Sequence, residues 1–130
     1  MEQYARLTDL KGVGKVPHFN GNENAFPDWK WKFEIAMSLL NIKSIMDQAR
    51  TQVEPVELSS LDEQQTIQSQ MLFAILAQAL SGKALSILKL IENNNGLEAW
   101  RRLCQTYEPD NKVRDSRMLA RYYVPRSLTI

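Results

Sequence analysis

Apolar residues recur every three or four positions along most of this chain, a period that predicts helices separated by short polar breaks. The clearest case is Leu97, Trp100, Cys104 and Tyr107, which share one face of a helix from Leu97 to Glu108. Arg101, Arg102, Gln105 and Glu108 point away from that face. Asn95 and Glu98 bracket the start as an Asn-x-x-Glu capping box, and Pro109 ends the helix. A helix this short with a Trp on its apolar stripe must bury that stripe against a partner surface. If Trp100 is fully buried, its truncation to Ala should cost roughly 3–5 kcal/mol.

A second stripe begins at Pro27, a residue suited to the first helical position because its missing N–H would have no partner there. From Pro27 to Leu40 the spacing puts Trp29, Phe33, Ala36, Met37 and Leu40 on one face and leaves Lys30, Lys32 and Glu34 in water. Trp31 falls off the stripe and is expected to reach a flanking surface or a partner. Asn41 ends or bends this helix, Ile42–Ala49 adds a further turn or two, and residues 50–57, with Pro55, connect onward. Before it, Val16-Pro17-His18-Phe19-Asn20-Gly21 reads as an extended leading segment in which Phe19 can plug the core.

Ser60-Leu61-Asp62-Glu63 reads as another capping box, opening a helix from Leu61 to Leu80. Ile67, Met71, Ala74, Ile75 and Gln78 form its stripe, Leu72, Leu76 and Ala79 widen it, and the Gln-rich stretch 64–70 is expected outside. Ser81-Gly82 breaks the run, and Lys83–Glu92 buries Ala84, Leu85, Leu88 and Ile91. Asn93-Asn94-Asn95-Gly96 is a tight loop of residues that tolerate unusual backbone angles. Past Pro109, Asp110 caps a last helix, Asn111–Tyr123, on which Arg114, Arg117 and Arg121 make a basic ridge. No segment sustains strand alternation, so the expected fold is all-α, a compact bundle of five to six short helices.

Composition adjusts this picture only in part. A chain of 130 residues, 44% apolar and 24% charged, suits one globular domain. Net charge is +1, but residues 101–130 hold seven Lys/Arg against three Asp/Glu, so the basic excess lies at the carboxy-terminal end. Lys112, Arg114, Arg117 and Arg121 are the candidates there for nucleic-acid contact. The single Cys104 allows no internal disulfide, and the first ten residues lack an apolar signal core, so a cytoplasmic setting is expected. Met71–Ala77, the longest apolar run, is too short to span a bilayer.

Candidate chemistry is sparse. Gly12-Val13-Gly14-Lys15 lacks both the earlier Gly of a phosphate loop, where Asp9 stands, and the Ser or Thr after Lys, where Val16 stands. His18 is the only histidine, and adjacent Asp62 and Glu63 do not face each other on a helix, so capping accounts for them better than acid–base work. No Ser/His/Asp set, metal-ligand cluster or Gly-rich nucleotide loop stands out. The expectation is a binding or assembly protein, not an enzyme, with no cofactor, no metal and no small-molecule substrate.

Pro17-x-Phe19-x-Gly21, with Trp29 opening a helix that carries Phe33, resembles the start of the Gag capsid region of long-terminal-repeat retrotransposons. The helix Met71–Leu80, the turn Ser81-Gly82, Ala84 and then Ala99-Trp100-x-x-Leu103-x-x-x-Tyr107 resemble the later part of that domain, in the order seen in copia-like and gypsy-like elements. The resemblance runs from about Val16 to Tyr123. It implies a capsid amino-terminal domain, a structural protein that self-associates into a shell around element RNA. Phe19, Trp29, Phe33, Trp100, Leu103 and Tyr107 would then be core anchors, and Trp31 and Met46 would lie at contacts between copies. The implied layout is a flexible segment 1–15, a helical capsid-like domain 16–109, and a last helix with the start of a second capsid domain in 110–130. The CCHC zinc knuckle that packages RNA in such proteins is lacking, so the expected partner is the chain itself, with RNA held weakly and no membrane. The alternatives are a helical adaptor, favoured by an apolar cleft between the first and third helices, and a weak nucleic-acid binder using the basic ridge.

Overall fold

A computed structural model describes residues 16–108. Five α-helices follow one another: α1 (Phe26–Ser38), α2 (Lys43–Thr51), α3 (Glu63–Ala79), α4 (Gly82–Lys89) and α5 (Gly96–Tyr107). Single 3₁₀ turns, Glu23–Ala25 and Leu58–Ser60, precede α1 and α3. Among the described residues there is no strand, only an isolated parallel bridge between Phe19 and Leu80. The all-α expectation is met. The expected helix Asn111–Tyr123 and the expected flexible segment 1–15 lie outside the described residues.

The helix ends follow from local chemistry. At the end of α1 the chain turns through Asn41 in the left-handed region, φ 62°. The Ile42 N–H donates to the Met37 carbonyl at 3.1 Å and the Asn41 N–H to that of Ser38 at 3.2 Å. That is a Schellman closure, and its usual apolar clasp is present because Met37 and Ile42 are both fully buried. The capping box of α3 is built two residues later than the spacing suggested. Asp62, not Ser60, accepts the Gln65 N–H at 2.8 Å, and Gln65 Oε1 accepts the Asp62 N–H at 3.0 Å. Ser60 closes the 3₁₀ turn instead, its hydroxyl donating to the Glu57 carbonyl. Asn93 and Asn94 both take positive φ, 59° and 52°, to turn the chain into α5.

α5 is the inner helix, packed chiefly on α2 and α3, and eight of its twelve residues are buried. Its start can approach α3 closely only because residue 96 is glycine. A Cβ there would overlap the Ser69 carbonyl oxygen and the Phe73 backbone nitrogen. Around α5 the aromatic rings form one continuous chain. Tyr107 meets Phe19 edge-on at 5.0 Å and stacks on Phe26 at 5.3 Å. Phe19 stacks on Trp29 at 5.1 Å, Trp29 on Phe33 at 4.8 Å, and Phe33 on Trp100 at 5.5 Å. Offset and edge-to-face pairs of this kind contribute about 0.5–1.5 kcal/mol each beyond their buried area. Phe19, Phe33, Trp100 and Leu103 are fully or almost fully buried, Trp29 nearly so, and Tyr107 half-buried.

The leading segment is tied in at both ends. The Trp29 indole N–H donates to the Pro17 carbonyl at 2.9 Å. The Phe19 N–H donates to the Ala79 carbonyl at 2.9 Å, and the Ser81 N–H to that of Phe19 at 3.0 Å. The plug expected of Phe19 is therefore held in place by main-chain bonds as well as by packing.

Three expectations about faces need correction. Along α3 the core side is Ser69, Leu72, Ile75, Leu76 and Ala79, whereas Ile67, Ala74 and Gln78 are exposed. A helix apolar on most sides does not announce which side is inward. Leu85 is only half-buried. Met46, expected at a contact between copies, is fully buried, because α2 turns its Ile45–Met46–Ala49 side onto the core.

Candidate interaction surface

The outer side of α1 carries what the core does not use. Trp31, Ile35 and Leu39 are spaced four residues apart, so they rise in one slightly slanted stripe. They are 65%, 44% and 60% exposed. Asp28 and Lys32 stand exposed beside them. The sequence places Trp31 off the buried stripe, and the structure puts it in solvent. Sequence reasoning missed Ile35 and Leu39 as its companions. The i, i+4, i+8 spacing was the available signal.

A separate groove lies at the end of α1. Where α1 ends, Leu40 and Asn41 face the first half of α3 across an open depression of about 690 Å³. Leu40, Ile67 and Met71 supply its apolar lining, and Asp62, Glu63 and Gln68 its polar lip. The Gln68 side chain bonds the Asn41 carbonyl at 2.9 Å, which fixes one wall. A cleft between the first and third helices is the feature that favours the adaptor alternative, and this groove occupies that position.

A buried polar clamp ties the start of α5 to residues 53–56. Glu98 is only 5% exposed. Its carboxylate accepts the Val56 N–H at 2.8 Å and Arg101 through Nε and Nη2 at 2.8 and 3.0 Å. Arg102 Nε adds a further bond at 2.8 Å. Arg101 Nη1 also reaches the Val53 carbonyl at 3.2 Å. Burial pushes the Glu98 carboxyl up, but the Arg101, Val56 and Arg102 bonds together hold it below its ordinary value. Asn95 accepts the Glu98 N–H at 3.2 Å and donates to the Val56 carbonyl at 2.8 Å. Ser69 Oγ donates to Asn95 at 2.8 Å and accepts the Leu97 N–H at 3.0 Å. Only half of the expected capping box at 95–98 therefore forms, since the Glu98 side chain turns to the arginines. Arg101, expected to point away from the core, is buried with Glu98.

A second ionic group closes the far end of α5. Glu108 pairs with Arg50 at 3.1 Å and with Lys30 at 3.6 Å, and Lys30 also meets Glu34 at 3.1 Å. Three helices are thus linked at one corner.

The residues considered for chemistry are scattered. His18 Nε2 lies 2.8 Å from Ser81 Oγ, but among the described residues no carboxylate bonds His18, so the pair joins the leading segment to the start of α4. The Cys104 thiol is buried, and that burial drives its pKa up, away from the reactive thiolate. Among the described residues no group of His, Cys, Asp and Glu could hold a metal ion. None of their helices is long and apolar enough to cross a membrane. Lys112, Arg114, Arg117 and Arg121 lie outside the described residues.

Comparison with family profiles, with curated proteins and with solved structures finds no match to this chain.

Proposed function

We propose that this chain is a Gag-like capsid amino-terminal domain that works by binding copies of itself, as a structural unit of a shell around element RNA. The reading joins the sequence resemblance to one observation: the apolar stripe Trp31–Ile35–Leu39 on the outer side of α1. An exposed Trp is costly to leave in water, and contiguous apolar surface marks places where proteins meet. The core anchors are all engaged inside, so assembly would use a surface that folding leaves free. In this reading the protein is non-catalytic, needs no cofactor and acts in the cytoplasm, with RNA held weakly.

Sedimentation velocity on the full 130-residue chain tests this. The weight-average sedimentation coefficient should rise between micromolar and about 1 mM chain. A strictly monomeric boundary over that range would overturn the reading. The groove between α1 and α3 supports a second reading, an adaptor that takes an amphipathic helix. In that case the chain stays monomeric.

A further inference from the structure

We infer that Asn20 is a site of spontaneous deamidation, a covalent modification that needs only water, and that the fold locks the same dipeptide at Asn95 against it. The modification loosens the Phe19 plug. None of this depends on self-association.

The chain holds two Asn-Gly pairs, Asn20-Gly21 and Asn95-Gly96. Glycine after asparagine lets the next main-chain nitrogen reach the side-chain carbonyl carbon, because no Cβ restricts its approach. The glycine nitrogen attacks Cγ and closes a five-membered succinimide ring. The Cγ–Nδ2 bond breaks, and the carboxamide nitrogen leaves as ammonia with the proton of the attacking amide. Water then opens the ring at one of its two carbonyls. Opening at Cγ leaves aspartate. Opening at the main-chain carbonyl leaves isoaspartate, with the backbone now running through the side chain. One water enters and one ammonia leaves, with no change of oxidation state.

The two pairs sit in opposite surroundings. Asn20 is exposed, and neither its Nδ2 nor the Gly21 N–H donates a hydrogen bond among the described residues. Its one side-chain bond comes from the Asn22 N–H to Oδ1 at 3.0 Å. That bond falls on the oxygen that gains negative charge as the ring closes, which favours the reaction. Asn95 is 6% exposed, and its carboxamide is engaged at both ends. Oδ1 accepts the Ser69 hydroxyl and the Glu98 N–H, and Nδ2 donates to the Val56 carbonyl. Gly96 lies against the main chain of Ser69 and Phe73. Ring closure at residue 95 therefore requires the start of α5 to open first.

The isoaspartate product has a structural cost. Phe19 is fixed by its main-chain bonds to Ala79 and Ser81. The Asn20 carbonyl oxygen lies so near Gly82 that a Cβ on that glycine would come within 2.7 Å of it. A Cβ on Gly21 would come within 2.9 Å of the Lys83 side chain and 3.1 Å of the Tyr107 hydroxyl. The extra methylene of isoaspartate thus enters a stretch held closely on both sides. It pushes Phe19 away from Trp29 and Tyr107, the rings that it meets at 5.1 and 5.0 Å. Aspartate keeps the original chain path and an acceptor for the Asn22 N–H, so it leaves the plug in place.

Peptide mass spectrometry on the full chain, aged in mildly alkaline buffer, tests the site. The peptide holding Asn20 should exchange carboxamide for carboxyl at least about tenfold faster than the peptide holding Asn95. In concentrated urea the two rates should converge, because both are then plain Asn-Gly. Equal rates in the folded chain, or a lag at Asn95 that persists in urea, would overturn the inference. Asn20→Gln should abolish the change in its peptide, and a change that survives would place the reaction at another asparagine and overturn it equally. Isoaspartate is identified by enzymatic methyl transfer to its free carboxyl, and that form is separated by ion exchange. It should melt below the unaltered chain, whereas Asn20→Asp, which carries the same charge without the methylene, should melt with it. An isoaspartate form as stable as Asn20→Asp would remove the link to the Phe19 plug.

Discussion

Trp29 and Trp31 are two residues apart on one helix and have opposite fates. Trp29 is 4% exposed, stacked on Phe19 and Phe33, with its indole N–H on the Pro17 carbonyl. Trp31 is 65% exposed and stands in line with Ile35 and Leu39. Two residues along a helix turn a side chain to the far face, so α1 is apolar on both sides. The inner side is filled by the other rings. Among the described residues nothing covers the outer side. Packing within the described residues accounts for Trp29 and leaves Trp31 unused.

Substitutions should separate the two sides by their effect on stability. The largest is Trp29→Ala, which empties a ring-sized space in the core and should lower stability by about 3–5 kcal/mol. Of a total near 5–15 kcal/mol for an ordinary domain, that is enough to unfold much of the population. Chemical denaturation followed by circular dichroism would report it.

The clamp behind α5 comes next. Glu98→Gln keeps the shape but removes the charge that Arg101 is buried against, and should cost roughly 2–3 kcal/mol. The pH dependence follows from the same pair. Glu98 titrates below its unfolded value, so its stabilisation is complete above the usual carboxylate range. It drains away as pH falls through the lowered folded value. The unaltered chain should lose stability below about pH 4, and Glu98→Gln should lose less over the same range. Equal acid slopes in the two proteins would remove Glu98 from the account.

Trp100→Phe probes the core without opening it widely. The Trp100 indole N–H is buried without a hydrogen-bond partner among the described residues, so part of what is lost in ring area is regained by deleting that donor. The expected cost is about 1–2 kcal/mol, well below that of Trp100→Ala. A phenylalanine variant as unstable as the alanine one would mean that the indole ring shape, not the apolar volume, is what the site requires. The smallest effect is that of Trp31→Ala, within about 0.5 kcal/mol on the folding of the isolated chain.

Much of the inner side was legible in the sequence. The stripes Trp29–Phe33–Met37 and Leu97–Trp100–Cys104 have the helical period, and Asn41 and Asn93-Asn94 stop the chain where left-handed backbone is needed. The polar interior was not legible. Ser69 and Arg101 lie in stretches that read as exposed, and they are buried only because the 52–56 loop and the start of α5 bring them partners. Sequence spacing does not disclose a partner 26 to 48 residues away. The face of α3 was misjudged for a different reason: with apolar residues on several sides, only the approach of Gly96 selects Ser69 and Leu72 as the inward line. Met46 reads as outward only while its short helix is considered without α5, the surface it packs on. The outer stripe of α1 was half legible: Trp31 stood out against the inner period, but Ile35 and Leu39 had no reason to join it until the helix could be seen in place.

The division between the two sides of α1 is tested most directly by acrylamide quenching of tryptophan fluorescence in the unaltered chain, read by front-face emission across a concentration series. At low concentration one of the three tryptophans should be open to the quencher. That open fraction should shrink as the chain approaches about 1 mM and Trp31 becomes covered. Quenching that is unchanged with concentration, or that reaches two or three tryptophans in the dilute chain, would contradict the account.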